Sequence, residues 1–252
     1  MAEIFMTGET KVRPGTYFNL QKNGRNAQAS IVNGVTAVLF RSDFGPLCQA
    51  VELSVEDGYE DTFGTSLTTD AMRQAFHGGT KTIIACRVGN GGTQATISLN
   101  DSEGETAVTL TALYPGQKDF TITIREKLTD NTMKQCIIYA ETTEFETVEF
   151  ASGEGEAAAL VKEFASSKKF KAQVETGKEM AILQNISQSK FLSGTNPQTT
   201  TEDYSNAFSQ IESFEFNTIC VDTEDSAVHL LLQSFINRIF NAGSFVQAVV
   251  AE

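Results

Sequence analysis

The sequence predicts a mixed α+β (α/β) fold: a sheet carrying helices, with a βαβ unit near the C-terminus, interrupted by an inserted antiparallel β-rich domain of barrel or sandwich type. Three observations carry this. Between Asp225 and Gly243 the apolar residues Val228, Leu231, Leu232, Phe235, Ile236, Ile239 and Phe240 recur at the spacing of one broad helical stripe. Short apolar runs flank that helix, Phe216 to Val221 before it and Phe245 to Val250 after it, each the length of a strand buried on both faces. Strand, helix, strand implies a right-handed crossover in a parallel sheet. From Thr93 to about residue 190 the pattern changes to period-two alternation with Thr opposite the apolar positions, which describes antiparallel strands with one face in water.

Taken in order, residues 1–30 form an N-terminal extended arm. Their one strand-like piece, Thr16 to Leu20, is entered through Arg13-Pro14-Gly15. An isolated extended segment cannot satisfy its own backbone groups, so it has to lie on a sheet edge of its own domain or of a neighbour. A frayed terminus is the bland reading of the same composition. Residues 31–92 form the first part of the α/β domain. Val35 to Phe40 is a strand, Asp43-Phe44-Gly45-Pro46 a turn, Gln49 to Val55 a second strand, Asp70 to Phe76 a short helix stopped by Gly78-Gly79, and Lys81 to Val88 a third strand.

Residues 93–190 make the β-rich insert. Ala95, Ile97 and Leu99, then Val108, Leu110 and Ala112, then Phe120, Ile122 and Ile124 alternate, followed by Gln135 to Ala140. Tyr114-Pro115-Gly116-Gln117 places Pro and Gly at the centre of a type II turn. A helix from Glu156 to Ser167 contributes Leu160, Val161 and Phe164, and Phe170, Ala172 and Val174 alternate after it. Residues 191–252 return to the α/β domain. A helix capped at Thr199 to Glu202 carries Tyr204, Ala207, Phe208 and Ile211 on one side. The long helix follows, with Asp225 or Ser226 as its cap, Arg238 near the negative end of its dipole and Gly243 as its left-handed stop.

The 252 residues carry 32 acidic and 19 basic side chains, a net charge of -13, which disfavours nucleic acid and anionic membranes as partners. No apolar run reaches membrane-spanning length, so no membrane insertion is expected. The N-terminus has no basic n-region or long apolar core, and an expected consequence is cytoplasmic synthesis. Cys48, Cys86, Cys136 and Cys220 lie far apart and read as reduced thiols.

The sequence predicts no catalytic, cofactor or metal site. Gly89-Asn90-Gly91-Gly92 follows a strand but lacks the third glycine and the helix of a dinucleotide turn, and reads as a domain-crossing hinge. Gly78-Gly79-Thr80-Lys81 lacks the glycine spacing of a phosphate loop. His77 and His229 lack the company that a ligand or a general base needs. The acids Glu141, Glu144, Glu146, Glu149, Glu154 and Glu156 have no Gly-centred calcium loop and read as a solvated face. Asn185-Ile186-Ser187 fits a glycosylation sequon that a chain without a leader would not use.

Several stretches together resemble the contractile tail sheath proteins of myophages, phage-like elements and R-type bacteriocins. They are Lys11 to Tyr17, Gly34 to Phe40 with Phe44-Gly45-Pro46 and Phe63-Gly64, and Ala75 to Gly79 leading to Ile83–Val88. Leu192-Ser193-Gly194-Thr195-Asn196 with Asp203-Tyr204, Ala207, Ile211 and Phe216-Asn217-Thr218 carries it most strongly. The resemblance implies a structural subunit without an active site or cofactor, stacked in helical rings of identical copies around an inner tail tube protein and meeting baseplate and tail terminator proteins. It implies a virion tail or tail-like particle assembled in the cytoplasm of a bacterial host. It gives the arm residues Val12, Arg13, Pro14, Gly15, Thr16, Tyr17 and Phe18 the task of pairing with sheets of neighbouring subunits. Sheath proteins of this kind continue past the Val250 region into a C-terminal domain that contacts the tube, so the chain is expected to be a fragment or a shortened form. A cytosolic α/β nucleotide- or small-molecule-binding protein or enzyme, with its site at the strand ends near Val88 and Val221, is the alternative reading. Another virion part, a tube or baseplate subunit, is the third.

Overall fold

The computed structural model describes residues 34–65 and 67–250. The assembly-arm residues Val12 to Phe18 lie outside the described residues.

Twelve strands and five α-helices run in the order β1 (Val35–Phe40), β2 (Ala50–Ser54), α1 (Tyr59–Phe63), α2 (Asp70–His77), β3 (Thr82–Arg87), β4 (Gln94–Asn100), β5 (Thr106–Pro115), β6 (Phe120–Lys127), β7 (Asp130–Ala140), β8 (Thr143–Ala151), α3 (Glu156–Phe164), β9 (Phe170–Val174), β10 (Ile186–Lys190), α4 (Thr201–Ile211), β11 (Thr218–Val221), α5 (Ser226–Asn241) and β12 (Gln247–Val249) among the described residues. The result is a mixed α+β architecture with three sheets.

One sheet has the order β12-β11-β1-β3-β2. β1 pairs in parallel with both β11 and β3, β12 is parallel to β11, and β2 runs antiparallel to β3. The continuous apolar runs of β1 and β3 have their physical reason here, because both faces are covered. Ala37, Leu39, Ile84, Cys86, Ile219 and Val221 pack under α4 and α5. Val38, Phe40, Leu53, Ile83 and Ala85 pack with Phe63 and Met72 of α1 and α2 on the other side. The helix termini follow the sequence signals. Thr200 and Asp203 form a reciprocal capping box at α4, and the Asp225 carboxylate accepts from Ala227 N at α5. Gly243 takes a left-handed φ of 99° just past the end of α5.

The other two sheets, β10-β6-β7-β8 and β4-β5-β9, enclose a third core with α3. Its alternating residues Leu99, Val108, Leu110, Ile122, Ile124, Cys136 and Ile138 point inward, as period-two strands require.

Four expectations are corrected. The run Phe245 to Val250 is not a strand buried on both faces. β12 is a three-residue edge strand with every residue exposed, since nothing among the described residues lies beyond it. Phe240 does not join the buried stripe of α5 but is 55% exposed, edge-on to Phe245 at 5.3 Å. α3 ends at Phe164 rather than Ser167. Gly116 does not adopt the positive φ that a type II turn demands, and the strands it joins, β5 and β6, belong to different sheets.

Candidate functional site

Three buried polar side chains, Ser42, Arg87 and Lys118, lie where the five-stranded sheet meets the β-rich part, and the loop after β1 builds that junction. Phe44, in this loop, leaves the five-stranded sheet's own core and enters the β-rich one, 1% exposed. There it lies edge-on to Tyr114 at 5.5 Å, Phe120 at 5.6 Å and Phe145 at 5.4 Å. Arg87, the last residue of β3, is fully buried and holds the loop in shape by donating to the carbonyl oxygens of Ser42 and Gly45, each at 2.8 Å. Burial pushes the guanidinium down to about 10 against the attraction of Asp43. Asp43 faces the same interior. Burial raises its carboxyl above the usual carboxylate range, opposed by Lys118 and Arg87, and its Oδ1 has no hydrogen-bond partner among the described residues.

The loop fits closely. A Cβ on Gly116 would overlap the Asp43 carbonyl oxygen, and one on Gly45 would overlap Thr62 and Phe63. At Gly64 it would meet Asp43 Oδ1 and Lys118 Nζ. The glycine predicted as a turn former at 116 is therefore required for close approach of two chain segments, not for its φ.

The chain crosses between the two parts twice more, and the crossings are zipped together. Asn90 and Gln198 exchange backbone hydrogen bonds at 2.7 and 3.0 Å, and Thr93 and Thr195 at 3.2 and 3.0 Å. Thr96 and Leu192 exchange theirs at 3.1 and 2.7 Å. A Cβ on Gly194 would overlap the carbonyl oxygens of Thr93 and Gly116, and Asn196 Oδ1 accepts from Gln117 N at 2.8 Å. The Gly89 to Gly92 stretch, expected as a hinge, is thus one half of a paired crossing. Phe44, Gly45, Phe63, Gly64, Gly194 and Asn196, all within the stretches that carry the resemblance, converge on this junction.

A second network ties the carboxyl ends of β1 and β11. Asp222 Oδ2 accepts from Arg41 N at 2.8 Å and from Arg41 Nε at 2.9 Å, and its Oδ1 accepts from the Tyr204 hydroxyl. Burial, followed by the Asp222 charge, raises the Tyr204 phenol well above its ordinary value. Neither Arg87 nor Asp222 was singled out by sequence reasoning. Arg87 closing an otherwise apolar strand run was the one available signal.

The remaining candidates separate. His77 ends α2, facing an open groove with Val55, Tyr59 and Phe76. His229 places Nε2 2.7 Å from the Thr223 carbonyl oxygen, and Asp225, one turn before it, is occupied in capping α5. The acidic run from Glu141 to Glu156 is not one solvated face. Glu156 is 1% exposed and accepts from Lys134 Nζ at 2.8 Å, Leu183 N at 2.8 Å and Gly153 N at 2.8 Å. Glu149 meets Lys127 at 2.5 Å, and this partner lowers its carboxyl. Glu146 is raised by burial. Among the described residues no group of three or more His, Cys, Asp or Glu is placed to hold a metal ion, and no helix is long and apolar enough to cross a membrane. All four cysteines are free, and burial pushes Cys86 and Cys136 to about 12 and Cys220 to about 11.

This helix-covered mixed sheet joined to a two-sheet β unit is similar in fold to tail sheath proteins of solved structure. The chain is similar to the crystal structure of a sheath tail protein from Listeria innocua, with a TM-score of 0.67 and 23% identity over 87% of this chain and 48% of that one. It is similar also to one from Desulfitobacterium hafniense, with a TM-score of 0.65 and 18% identity over 93% of this chain and 52% of that one. The chain thus spans about half the length of these sheath structures. No protein-family model matches it, and no curated protein matches it in sequence.

Proposed function

We propose that the chain is a structural subunit of a contractile tail sheath, polymerising with its own copies in helical rings around an inner tail tube in a phage or phage-like particle. Likeness in fold to two sheath tail proteins over 87% and 93% of the chain is the observation that carries the reading. The junction supports it, because the motif residues serve to fix two parts of the subunit to each other, which suits a body that moves as a unit between neighbours. In this reading residues 31–92 and 191–252 form the sheath domain, with its βαβ unit at the end, and residues 93–190 are an inserted domain facing outward. Residues 1–30 are an arm whose segment Val12 to Phe18 pairs as a strand with a sheet of a neighbour. Contraction rearranges subunit contacts and drives the tube through a target envelope. No turnover is involved, and the tube, baseplate and terminator proteins are the other partners.

Negative-stain microscopy after co-expression with a tail tube protein tests this, and sheath-like tubes are the expected result. Deleting residues 1–18 should leave the melting temperature in place and abolish assembly. Dispersed monomers in that experiment, together with a nucleotide that raises the melting temperature, would replace the reading with that of a ligand-binding protein.

A further inference from the structure

The sequence contains three Asn–Gly pairs, at residues 23, 33 and 90, and Asn90–Gly91 is the one that lies wholly within the described residues. Asparagine is among the heat-labile side chains, and a glycine after it has no Cβ to shield its amide nitrogen. Both residues are exposed here. Gly91 has a left-handed φ of 73°, with nothing within 4 Å of the place a Cβ would occupy. Among the described residues, neither the Asn90 side-chain amide nor the Gly91 N–H has a hydrogen-bond partner.

The main chain of Asn90, by contrast, is held. Its N–H donates to the Gln198 carbonyl oxygen at 2.7 Å, and its carbonyl oxygen accepts from Gln198 N at 3.0 Å. This pair is one of the three that zip the two crossings together. The groove beside it is lined by Gln198, Glu202 and Asp203, so its charge is negative.

We propose that Asn90–Gly91 is a self-modification site at which the chain slowly and irreversibly undoes this crossing. Gly91 N gives its proton to hydroxide and attacks Asn90 Cγ. The N–Cγ bond forms, the Cγ–Nδ2 bond breaks and ammonia leaves, which closes a five-membered imide. Water then opens the imide. Cleavage of the N–Cγ bond leaves an aspartate at position 90. Cleavage of the bond from that nitrogen to the main-chain carbonyl carbon leaves an isoaspartyl link, in which the chain runs through Cγ. Overall one water is consumed and one ammonia released, and nothing is oxidised or reduced. Both products put a carboxylate beside Glu202 and Asp203 in place of a neutral amide. The isoaspartyl link also adds a methylene to the main chain, so the N–H and carbonyl of residue 90 no longer match those of Gln198. Closing the planar imide takes the Asn90 carbonyl into the ring, at an angle that an extended, paired residue does not have. The reaction therefore passes through a locally opened crossing, and its rate follows that opening. The inference goes beyond the sheath reading and does not rest on it.

Ageing the full chain in mildly alkaline buffer tests it, with the same chain unfolded in urea as the rate reference. Peptide mass spectrometry, which resolves the Asn23 and Asn33 peptides separately, should show the Asn90 peptide gaining one mass unit. Isoaspartyl methyltransferase should label that peptide. Conversion should be several-fold slower in the folded chain than in urea. The converted chain should lose exchange protection at the Gln198 amide and melt a few degrees lower. Asn90→Gln should keep both the protection and the melting temperature over the same period.

Absence of conversion at residue 90 in the folded chain, by the time the unfolded chain has converted fully, overturns the inference. Conversion that leaves Gln198 protection and the melting temperature unchanged overturns it too, since the crossing would then survive the modification. Conversion as fast in the folded chain as in urea removes the control by the crossing, and the inference with it.

Discussion

Phe44→Ala is the perturbation that examines the junction most directly. Phe44 belongs by sequence to the loop of one sheet and by packing to the core of another, 1% exposed with three edge-on aromatic neighbours between 5.4 and 5.6 Å. Truncating a buried Phe costs about 3–5 kcal/mol, with the upper end expected where the surroundings cannot collapse. Collapse is obstructed here, because Arg87 clamps the loop through Ser42 and Gly45 and the Gly116 backbone lies against Asp43. For a domain of this size each kcal/mol lowers the melting temperature by about 2–4 °C, so the loss should reach about 6–20 °C. Urea denaturation followed by tryptophan-independent far-ultraviolet circular dichroism gives the free energy, and hydrogen exchange shows where it is lost. Amides of β5, β6 and the Ser42–Gly45 loop should lose protection together. A loss under about 1 kcal/mol, typical of an ordinary surface change, would refute the reasoning and leave the two cores independent.

Gly116→Ala should destabilise by about 1–3 kcal/mol or more, because the added methyl overlaps the Asp43 carbonyl oxygen, and a melt that matches wild type would contradict the close approach. Lys134→Met strands the buried Glu156 carboxylate and should cost about 3–5 kcal/mol, whereas Lys134→Met with Glu156→Met should cost less than the single change, as measured by chemical denaturation. Asp43→Asn should raise stability at neutral pH. The folded carboxyl is raised above its unfolded value by burial, so the folded state holds the proton more tightly and wild-type stability falls as pH rises through that window. Melting curves of the two proteins should converge as pH drops toward about 3.9, the unfolded carboxylate value, and a constant gap would show that charge is not the cause.

The elements legible in the sequence are those whose signals are local. The spacing of Val228, Leu232, Phe235 and Ile239 and the capping box at Thr200 and Asp203 lie within single helices, and α4 and α5 carry them. The apolar runs of β1 and β3 likewise announce burial on both faces. What stayed hidden depends on partners far along the chain. Phe44 looked like part of a turn because its neighbours are at 114, 120 and 145. Glu156 looked solvated within an acidic run because Lys134 and Leu183 satisfy it from other elements. Phe245, Val249 and Val250 have the composition of an interior strand and lie exposed at a sheet edge, since composition alone does not say what stands beside a strand.

The paired crossings at 90–96 and 192–198, together with the Phe44 plug, give three points of attachment that do not share a line of sequence. A solid held at three such points resists twisting as well as pulling. Torque applied to the β-rich part therefore reaches the helix-covered sheet with little lost in internal give.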